Sequence, residues 1–238
     1  MNTMENNKYV QEVLQQVHQN TIAWDKFRLG KFTGSGISSL MTSPRSKSAK
    51  ESGQFSQTAL KYIYEKLMEE VTGQVCYEST GKAIDWGNEW EEVALLEVAK
   101  LLQSPPQKTQ IKPPFKPFNE YSGVSADALM YDSRIDSSVG VELKCPFNPV
   151  NHYLHSQVKC GDDLKEINAD YYWQIQMSML CHNLPLWVFA SFEPRQPEHK
   201  ILHTAYIQLN PTDAEALCDT MNRAHQLKEQ LKKEWYVK

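Results

Sequence analysis

The chain has 238 residues, of which 41% are hydrophobic and 23% charged, and its formal net charge is −4 at pH 7. This length suits one large domain or two small ones, and the composition excludes collagen, a coiled coil and a wholly disordered chain. The net charge also excludes a protein that binds nucleic acid through overall basicity. The N-terminus lacks a signal-peptide pattern and no apolar stretch reaches about 20 residues, so we expect a cytoplasmic protein without a membrane span.

The first half of the chain has the spacing of apolar residues that is typical of amphipathic helices. This spacing predicts helices over 8–18, 55–72 and 86–102. Between the first two, a turn rich in glycine and serine predicts the start of another helix near Ser35. The polar, basic segment 43–54 has no periodicity and predicts a mobile loop.

The middle of the chain changes to short runs separated by turn-forming residues, which predicts an antiparallel meander of four strands. These runs cover 108–112, 120–125, 127–132 and 138–144. Helical spacing returns over 169–182, two more strands are predicted at 186–193 and 201–209, and Pro211 opens a last helix. We therefore predict an α/β fold with a mixed β-sheet flanked by helices, as one domain over 1–238 with a core of about 20–210 and a C-terminal helix over 211–235.

The sharpest chemical signal is Asp127 followed by the triplet Glu142, Leu143 and Lys144. Strand alternation places Glu142 and Lys144 on one face, and a hairpin would bring Asp127 beside them. Two adjacent carboxylates repel each other unless a cation lies between them, and Mg²⁺ prefers such oxygen ligands. The group therefore suits metal-assisted hydrolysis of a phosphodiester, although from spacing alone a surface cluster of ion pairs is an equal alternative.

The pattern Asp-(X)n-Glu-X-Lys on a hairpin resembles the signature of the PD-(D/E)XK nuclease superfamily, which has the restriction-endonuclease-like fold. The fuller pattern resembles its lambda-exonuclease, or YqaJ viral recombinase, branch. The family usually has Pro before the Asp and Gly after it, where this chain has Ala126 and Ala128. Matching blocks stand in order at 24–35, 86–91, 125–127, 140–147 and 171–176.

The resemblance implies two Mg²⁺ ions, with Mn²⁺ as a substitute. Their ligands would be Asp127, Glu142 and the Leu143 carbonyl, with Glu91 as a third carboxylate. Lys144 would serve the attacking water.

Two of the catalytic roles that the resemblance implies have competitors nearby in the sequence. Gln174 would orient water or substrate, but Gln176 is an alternative to it. Glu91 competes with Glu89 and Glu92, and its place at the head of an apolar helix stripe favours Glu91.

The resemblance also implies a pocket for a 5′-phosphate, formed by Arg28 and Ser35 with help from Ser125. Arginine suits this role because it contacts phosphate through two parallel hydrogen bonds. A serine between glycines at a helix start adds a hydroxyl and free backbone N–H groups. Arg45 would guide DNA, and a solvated loop residue is the equal alternative for it.

The function implied is a Mg²⁺-dependent 5′-to-3′ exonuclease that degrades one strand of linear double-stranded DNA and leaves 3′ overhangs for phage-type recombination. A homotrimer and a single-strand annealing recombinase as partner are implied as well. The alternatives are a site-specific or structure-specific endonuclease on the same fold, and a DNA-end-binding protein that does not cut. The five cysteines form no C-x-x-C pair or C-terminal quartet, which argues against a related nuclease with an iron–sulfur cluster.

Overall fold

The computed structural model describes residue 19 and residues 21–77 and 81–236, so the helix predicted over 8–18 lies outside the described residues. Within these ranges the α-helices are α1 (Ile22–Arg28), α2 (Lys47–Glu51), α3 (Gln57–Thr72), α4 (Lys82–Leu101), α5 (Pro149–His155), α6 (Gly161–Ile167), α7 (Ala169–His182) and α8 (Pro211–Tyr236). The strands are β1 (Phe32–Thr33), β2 (Gln110–Ile111), β3 (Lys116–Asn119), β4 (Ser122–Val124), β5 (Ala128–Asp132), β6 (Ser137–Lys144), β7 (Leu186–Phe192) and β8 (Leu202–Gln208). Short 3₁₀ helices cover Gly34–Met41, Pro106–Lys108 and Glu198–Lys200.

The ends of the two central helices follow from their capping residues. The Ser56 side chain accepts a hydrogen bond from the Ala59 N–H at the start of α3, and the helix ends at Gly73 with φ of 68°. The Asn168 side chain caps α7 in the same way. Side-chain caps satisfy N–H groups that have no partner within the helix, and glycine adopts the left-handed conformation without strain. These helix positions are confirmed.

Two sheets form the β-structure of the described residues. The larger sheet has the order β2-β5-β6-β7-β8, in which only β6 and β7 are parallel, and the smaller sheet has the order β1-β4-β3. The prediction of one four-stranded meander is therefore wrong, because β4 pairs within the smaller sheet. Pro113 and Pro114 separate β2 from β3, and proline cannot donate a ladder hydrogen bond, so the chain leaves the larger sheet at this point.

Strand alternation divides the core into two layers, one on each face of the larger sheet. Val139, Val141 and Leu143 of β6 pack in the layer that contains the apolar stripe of α4. On the opposite face, a Cβ on Gly140 would lie 2.2 Å from the Trp187 ring, and Trp187 belongs to the layer that contains α7. Glu142 follows the same alternation as Gly140 and faces the α7 side.

Several further segments differ from the predicted elements. The loop predicted over 43–54 contains α2, which the Ser46 side chain caps. The helix predicted near Ser35 is a 3₁₀ helix, and a Cβ on Gly36 would lie 2.5 Å from the Tyr62 hydroxyl. The helices α5 and α6 were not predicted. No helix in the described ranges is both long and apolar enough to cross a membrane.

Candidate active site

The end of the β5–β6 hairpin brings the acidic residues and the lysine together. Ala128 pairs with Val141, so Asp127 lies just beyond the last ladder pair. The Leu143 N–H donates to Asp127 Oδ2 at 2.6 Å, and Lys144 Nζ lies 2.5 Å from Glu142 Oε1. Lys144 Nζ also lies 4.6 Å from the centre of the Tyr171 ring on α7.

Burial and the charges of neighbouring groups shift the pKa values of all three ionisable groups. Burial raises the pKa of Glu142, and burial together with the Glu142 charge raises the pKa of Asp127 well above its ordinary value. Burial lowers the pKa of Lys144, but the Glu142 and Asp127 carboxylates outweigh this effect and raise it above its ordinary value. The two carboxylates therefore favour the charged form of Lys144, in which it can position water or stabilise negative charge.

The thiol of Cys145, next to Lys144, experiences the negative electrostatic potential of the same carboxylates. Burial raises the pKa of Cys145 to about 12, with further contributions from the Glu91 and Asp127 carboxylates. The thiol therefore stays protonated, as expected for a packing residue. A site with this potential favours a cation.

The donor set fits a hard divalent cation at Asp127 and Glu142. Glu142 is fully buried, and its Oε2 accepts no hydrogen bond from any described residue. An unsatisfied buried carboxylate oxygen is costly, and a metal ion would satisfy it. Because the N–H and C=O of a strand residue project to the same edge, the Leu143 carbonyl lies on the side of Asp127.

Glu91, the predicted third carboxylate, forms an ion pair in the structure, and its role as a metal ligand stays a prediction. Its Oε2 lies 2.6 Å from Lys112 Nζ, in an ion pair. Among residues 19, 21–77 and 81–236, no group of three or more His, Cys, Asp or Glu side chains is placed to hold a metal ion. Glu91 is half-buried, whereas Glu89 and Glu92 are exposed, and it contributes to the potential at Asp127 and Glu142.

A cavity of about 200 Å³ adjoins the acidic pair and contains the predicted phosphate-binding residues. The Arg28 guanidinium stacks 3.9 Å from the centre of the Trp24 ring, and Trp24 Nε1 donates to Ser125 Oγ at 2.9 Å. Within the described part of the chain, Arg28 forms no ion pair with a carboxylate. The residues that line the cavity are Gln19, Trp24, Arg28, Thr33, Gly34, Ser35, Val124, Ser125, Asp127, Gln174 and Ser178.

The floor of this cavity is built by close backbone packing. The Thr33 N–H donates to the Tyr62 hydroxyl at 3.0 Å, which holds the start of the 3₁₀ helix. A Cβ on Gly34 would lie 3.1 Å from the Val124 side chain and 3.5 Å from Gln174. The cavity therefore joins a half-buried cation and several hydroxyls to Asp127, and the predicted phosphate-binding residues are continuous with the acidic pair.

Only one of the two candidate glutamines lines this cavity. Gln174 is half-buried and lies on the cavity wall. Gln176 is fully buried, its Nε2 donates to the Gln208 carbonyl at 3.1 Å, and its Oε1 accepts from the Asn210 N–H at 2.9 Å. Gln176 thus ties α7 to the turn before α8, which is a structural function.

The two glutamines give a matched test. Gln174→Ala should lower the cleavage rate roughly tenfold or more with little change in Tm, because the side chain contacts the cavity. Gln176→Ala should lower the free energy of unfolding by about 1–3 kcal/mol, because it removes two hydrogen bonds and the packing of a fully buried side chain. Thermal denaturation and a linear-duplex assay on both variants would separate the roles, and the reverse pattern would exchange them.

Arg45 lies apart from the cavity. It is exposed and sits at the bend immediately before α2. Its position at the surface is compatible with both a DNA contact and a solvated charge.

Two of the cavity residues that were not predicted to act in the site, Trp24 and Gln19, make contacts that shape it. Trp24 is half-buried and its ring supports the Arg28 guanidinium. The spacing of Trp24 and Arg28, four residues apart on a helix, was the available signal, since such pairs share one face. Gln19, which donates to the Pro113 and Ala126 carbonyls, had no recognisable signal.

The mixed sheet flanked by helices is the fold of lambda-exonuclease-like nucleases. The structure of the alkaline exonuclease LHK-Exo from Laribacter hongkongensis is similar to this chain with a TM-score of 0.72 and 19% identity, over 90% of this chain and 96% of that one. The structure of LHK-Exo in complex with dAMP gives the same values. A phage-related exonuclease from Haemophilus somnus 129PT has a TM-score of 0.69 and 18% identity, over 94% and 99% of the two chains.

The family is assigned from the sequence, by its match to a family profile. The profile of the YqaJ-like viral recombinase domain matches residues 23–184. This range is more than half of the chain and includes the acidic hairpin, Arg28 and Gln174. The chain belongs to the YqaJ-like viral recombinase family. A comparison with curated protein sequences finds no significant match.

Proposed function

We propose that this protein is a Mg²⁺-dependent exonuclease that degrades one strand of linear double-stranded DNA from its 5′ end and leaves 3′ single-stranded overhangs. The observation that carries the proposal is the continuity of two subsites. Arg28, a half-buried cation without a carboxylate partner in the described residues, shares a cavity with Asp127, which adjoins Glu142 and Lys144. A terminal phosphate in the cavity would place the next phosphodiester near the acidic pair.

In this proposal Asp127, Glu142 and the Leu143 carbonyl hold Mg²⁺, as two ions, with Mn²⁺ able to replace it. The metal supplies charge neutralisation to the scissile phosphate and acidifies water. Lys144 adds a fixed positive charge beside Glu142, where negative charge develops on the phosphate. Glu91 acts from the margin of the site, where it balances Lys112.

The polarity of degradation follows from the pocket. Arg28 binds the 5′-phosphate through its guanidinium, and Ser35 and Ser125 add hydroxyl donors. Gln174 lies on the wall between this pocket and the acidic pair, where it can orient water or the phosphodiester. Because the anchored group is a 5′ end, each turnover shortens that strand and leaves the 3′-ended strand unpaired.

The recombination role and the partners rest on the family. A viral recombinase needs 3′ single strands for annealing, so a single-strand annealing recombinase protein is the proposed partner. We also propose a homotrimer around double-stranded DNA, with Arg45 guiding the duplex towards the cavity. A solution mass of three times 27.4 kDa would support the trimer, and a monomeric mass would contradict it.

The activity is tested on linear duplexes labelled at one 5′ end or one 3′ end, with and without a 5′-phosphate, and on closed circular DNA. We expect release of the 5′ label in Mg²⁺, faster cleavage of phosphorylated ends, intact circles and no cleavage in EDTA. Nicking of the circles would identify an endonuclease. Binding without cleavage would identify a DNA-end-binding protein.

A further inference from the structure

Helix α1, which carries Arg28, is not held in place by buried side chains of its own. It has seven residues and none of them is buried. A helix this short is marginal without support from its surroundings. The placement of the Arg28 guanidinium in the cavity therefore depends on contacts made by the segments next to α1.

The turn after α1 is held from two sides. Gly30 has a φ of 70°, and the Lys31 N–H donates back to the Arg28 carbonyl at 3.0 Å. The Gly30 N–H donates to Glu69 Oε2 at 3.3 Å, and the Gly30 carbonyl accepts from Lys228 Nζ at 2.8 Å. Charged side chains from α3 and α8 thus hold both polar groups of one residue.

The turn is also packed tightly against α3. A Cβ on Gly30 would lie 2.6 Å from Glu70 Cβ, so only glycine fits at this point of the chain. The turn cannot shift towards α3, and the bond from Lys228 prevents it from moving away. This arrangement fixes the C-terminal end of α1, where Arg28 is the last residue.

The burial of Lys228 is the unusual feature. Its side chain is 3% exposed, and its Nζ lies 2.6 Å from Glu70 Oε2. The Glu70 side chain is 30% exposed, so the cost of removing charge from water falls mainly on the Lys228 ammonium group. Packing alone therefore does not account for a lysine here. Glu70 also pairs with Lys232, whose side chain is 39% exposed, so Glu70 keeps a counter-charge without Lys228. The contact that depends on Lys228 is the bond to Gly30.

We propose that Lys228 is a positioning residue for the phosphate pocket, which holds the turn at Gly30 so that Arg28 stays stacked on Trp24 and inside the cavity. This inference rests on the proposed function of Arg28 as the 5′-phosphate ligand. Lys228 lies outside residues 23–184, which the family profile matches. The C-terminal helix would therefore contribute to recognition of the DNA end without touching DNA.

The test measures kcat and KM on linear duplexes with 5′-phosphate or 5′-hydroxyl ends. Lys228→Met should raise KM for phosphorylated ends about tenfold and leave kcat nearly unchanged, because a displaced Arg28 weakens binding of the phosphate. The KM for hydroxyl ends should not change. Lys228→Arg should retain the wild-type ratio of the KM values for the two kinds of end, because the adjoining cavity of about 360 Å³ accommodates the larger side chain.

Lys232→Met is the matched control, since it removes the other lysine that pairs with Glu70 and does not contact Gly30; it should keep the wild-type ratio. If Lys228→Met does not fold, Lys228→Gln replaces it, because the shorter amide cannot reach the Gly30 carbonyl, and the same loss is expected. A folded Lys228→Met or Lys228→Gln variant with the wild-type preference for phosphorylated ends overturns the inference alone. A wild-type enzyme without that preference overturns the phosphate pocket and the inference together.

Discussion

Replacement of Lys144 by methionine should reduce cleavage of linear duplex DNA by roughly 10²–10³-fold, as expected for loss of a fixed charge at a reacting phosphate. Lys144 lies 2.5 Å from Glu142 Oε1 and 4.6 Å from the Tyr171 ring, and its raised pKa keeps it protonated. Methionine keeps most of the length of the side chain and removes the charge and the N–H donors. Single-turnover rates in saturating Mg²⁺ would measure the loss.

Lys165 provides the matched control for this variant. It also combines a carboxylate, Asp213 at 2.7 Å, with an aromatic ring, Tyr172 at 5.0 Å, but it lies outside the cavity. Lys165→Met should therefore cleave DNA at the wild-type rate. Undiminished cleavage by Lys144→Met, with a folded protein, would show that the acidic hairpin is not the catalytic centre.

Replacement of Arg28 by glutamine should remove most of the preference for 5′-phosphorylated ends. Each charge-assisted hydrogen bond contributes about 1.5–3 kcal/mol, so kcat/KM on phosphorylated ends should fall roughly 10–100-fold. Ends with a 5′-hydroxyl should be cleaved at nearly the wild-type rate, because they offer no terminal phosphate to Arg28. Competition between the two duplexes in one reaction gives the ratio of their kcat/KM values directly.

Lys26 is the control on the same helix. Its side chain is exposed and does not line the cavity, so Lys26→Gln removes an equal charge from α1 without changing the pocket. This variant should keep the preference for phosphorylated ends. An equal loss in both variants would indicate a general electrostatic attraction of DNA to α1 and not a phosphate pocket.

Local patterns predicted the elements that lie in well-formed layers. Strands β5 to β8 alternate between two buried layers, and the helices α3, α7 and α8 have apolar stripes and clear end signals. The smaller sheet could not be predicted in this way. The pairing of Phe32 with Ser122 joins residues 90 positions apart, and a two-residue strand has no periodicity to read.

The acidic hairpin was predictable because its residues are close in sequence. Asp127 immediately precedes β5 and Glu142 lies on β6, the two strands of one hairpin, and alternation alone places Glu142 and Lys144 on the same face. The role of Glu91 depends on long-range packing instead. Its ion pair with Lys112 sets it apart from the other two carboxylates, and no local pattern predicts that contact.

The sequence by itself determined the α/β class, the acidic pair with its lysine, and the family, because these depend on residue types at short or ordered spacings. The tertiary structure decided which glutamine faces the cavity, placed Trp24 beneath Arg28, and buried Lys228 against the turn at Gly30. Those outcomes depend on how α1, α7 and α8 pack on elements far away in the chain. The burial and hydrogen bonding of residues that are far apart in the sequence depend on the assembled fold. A local sequence pattern therefore cannot predict them.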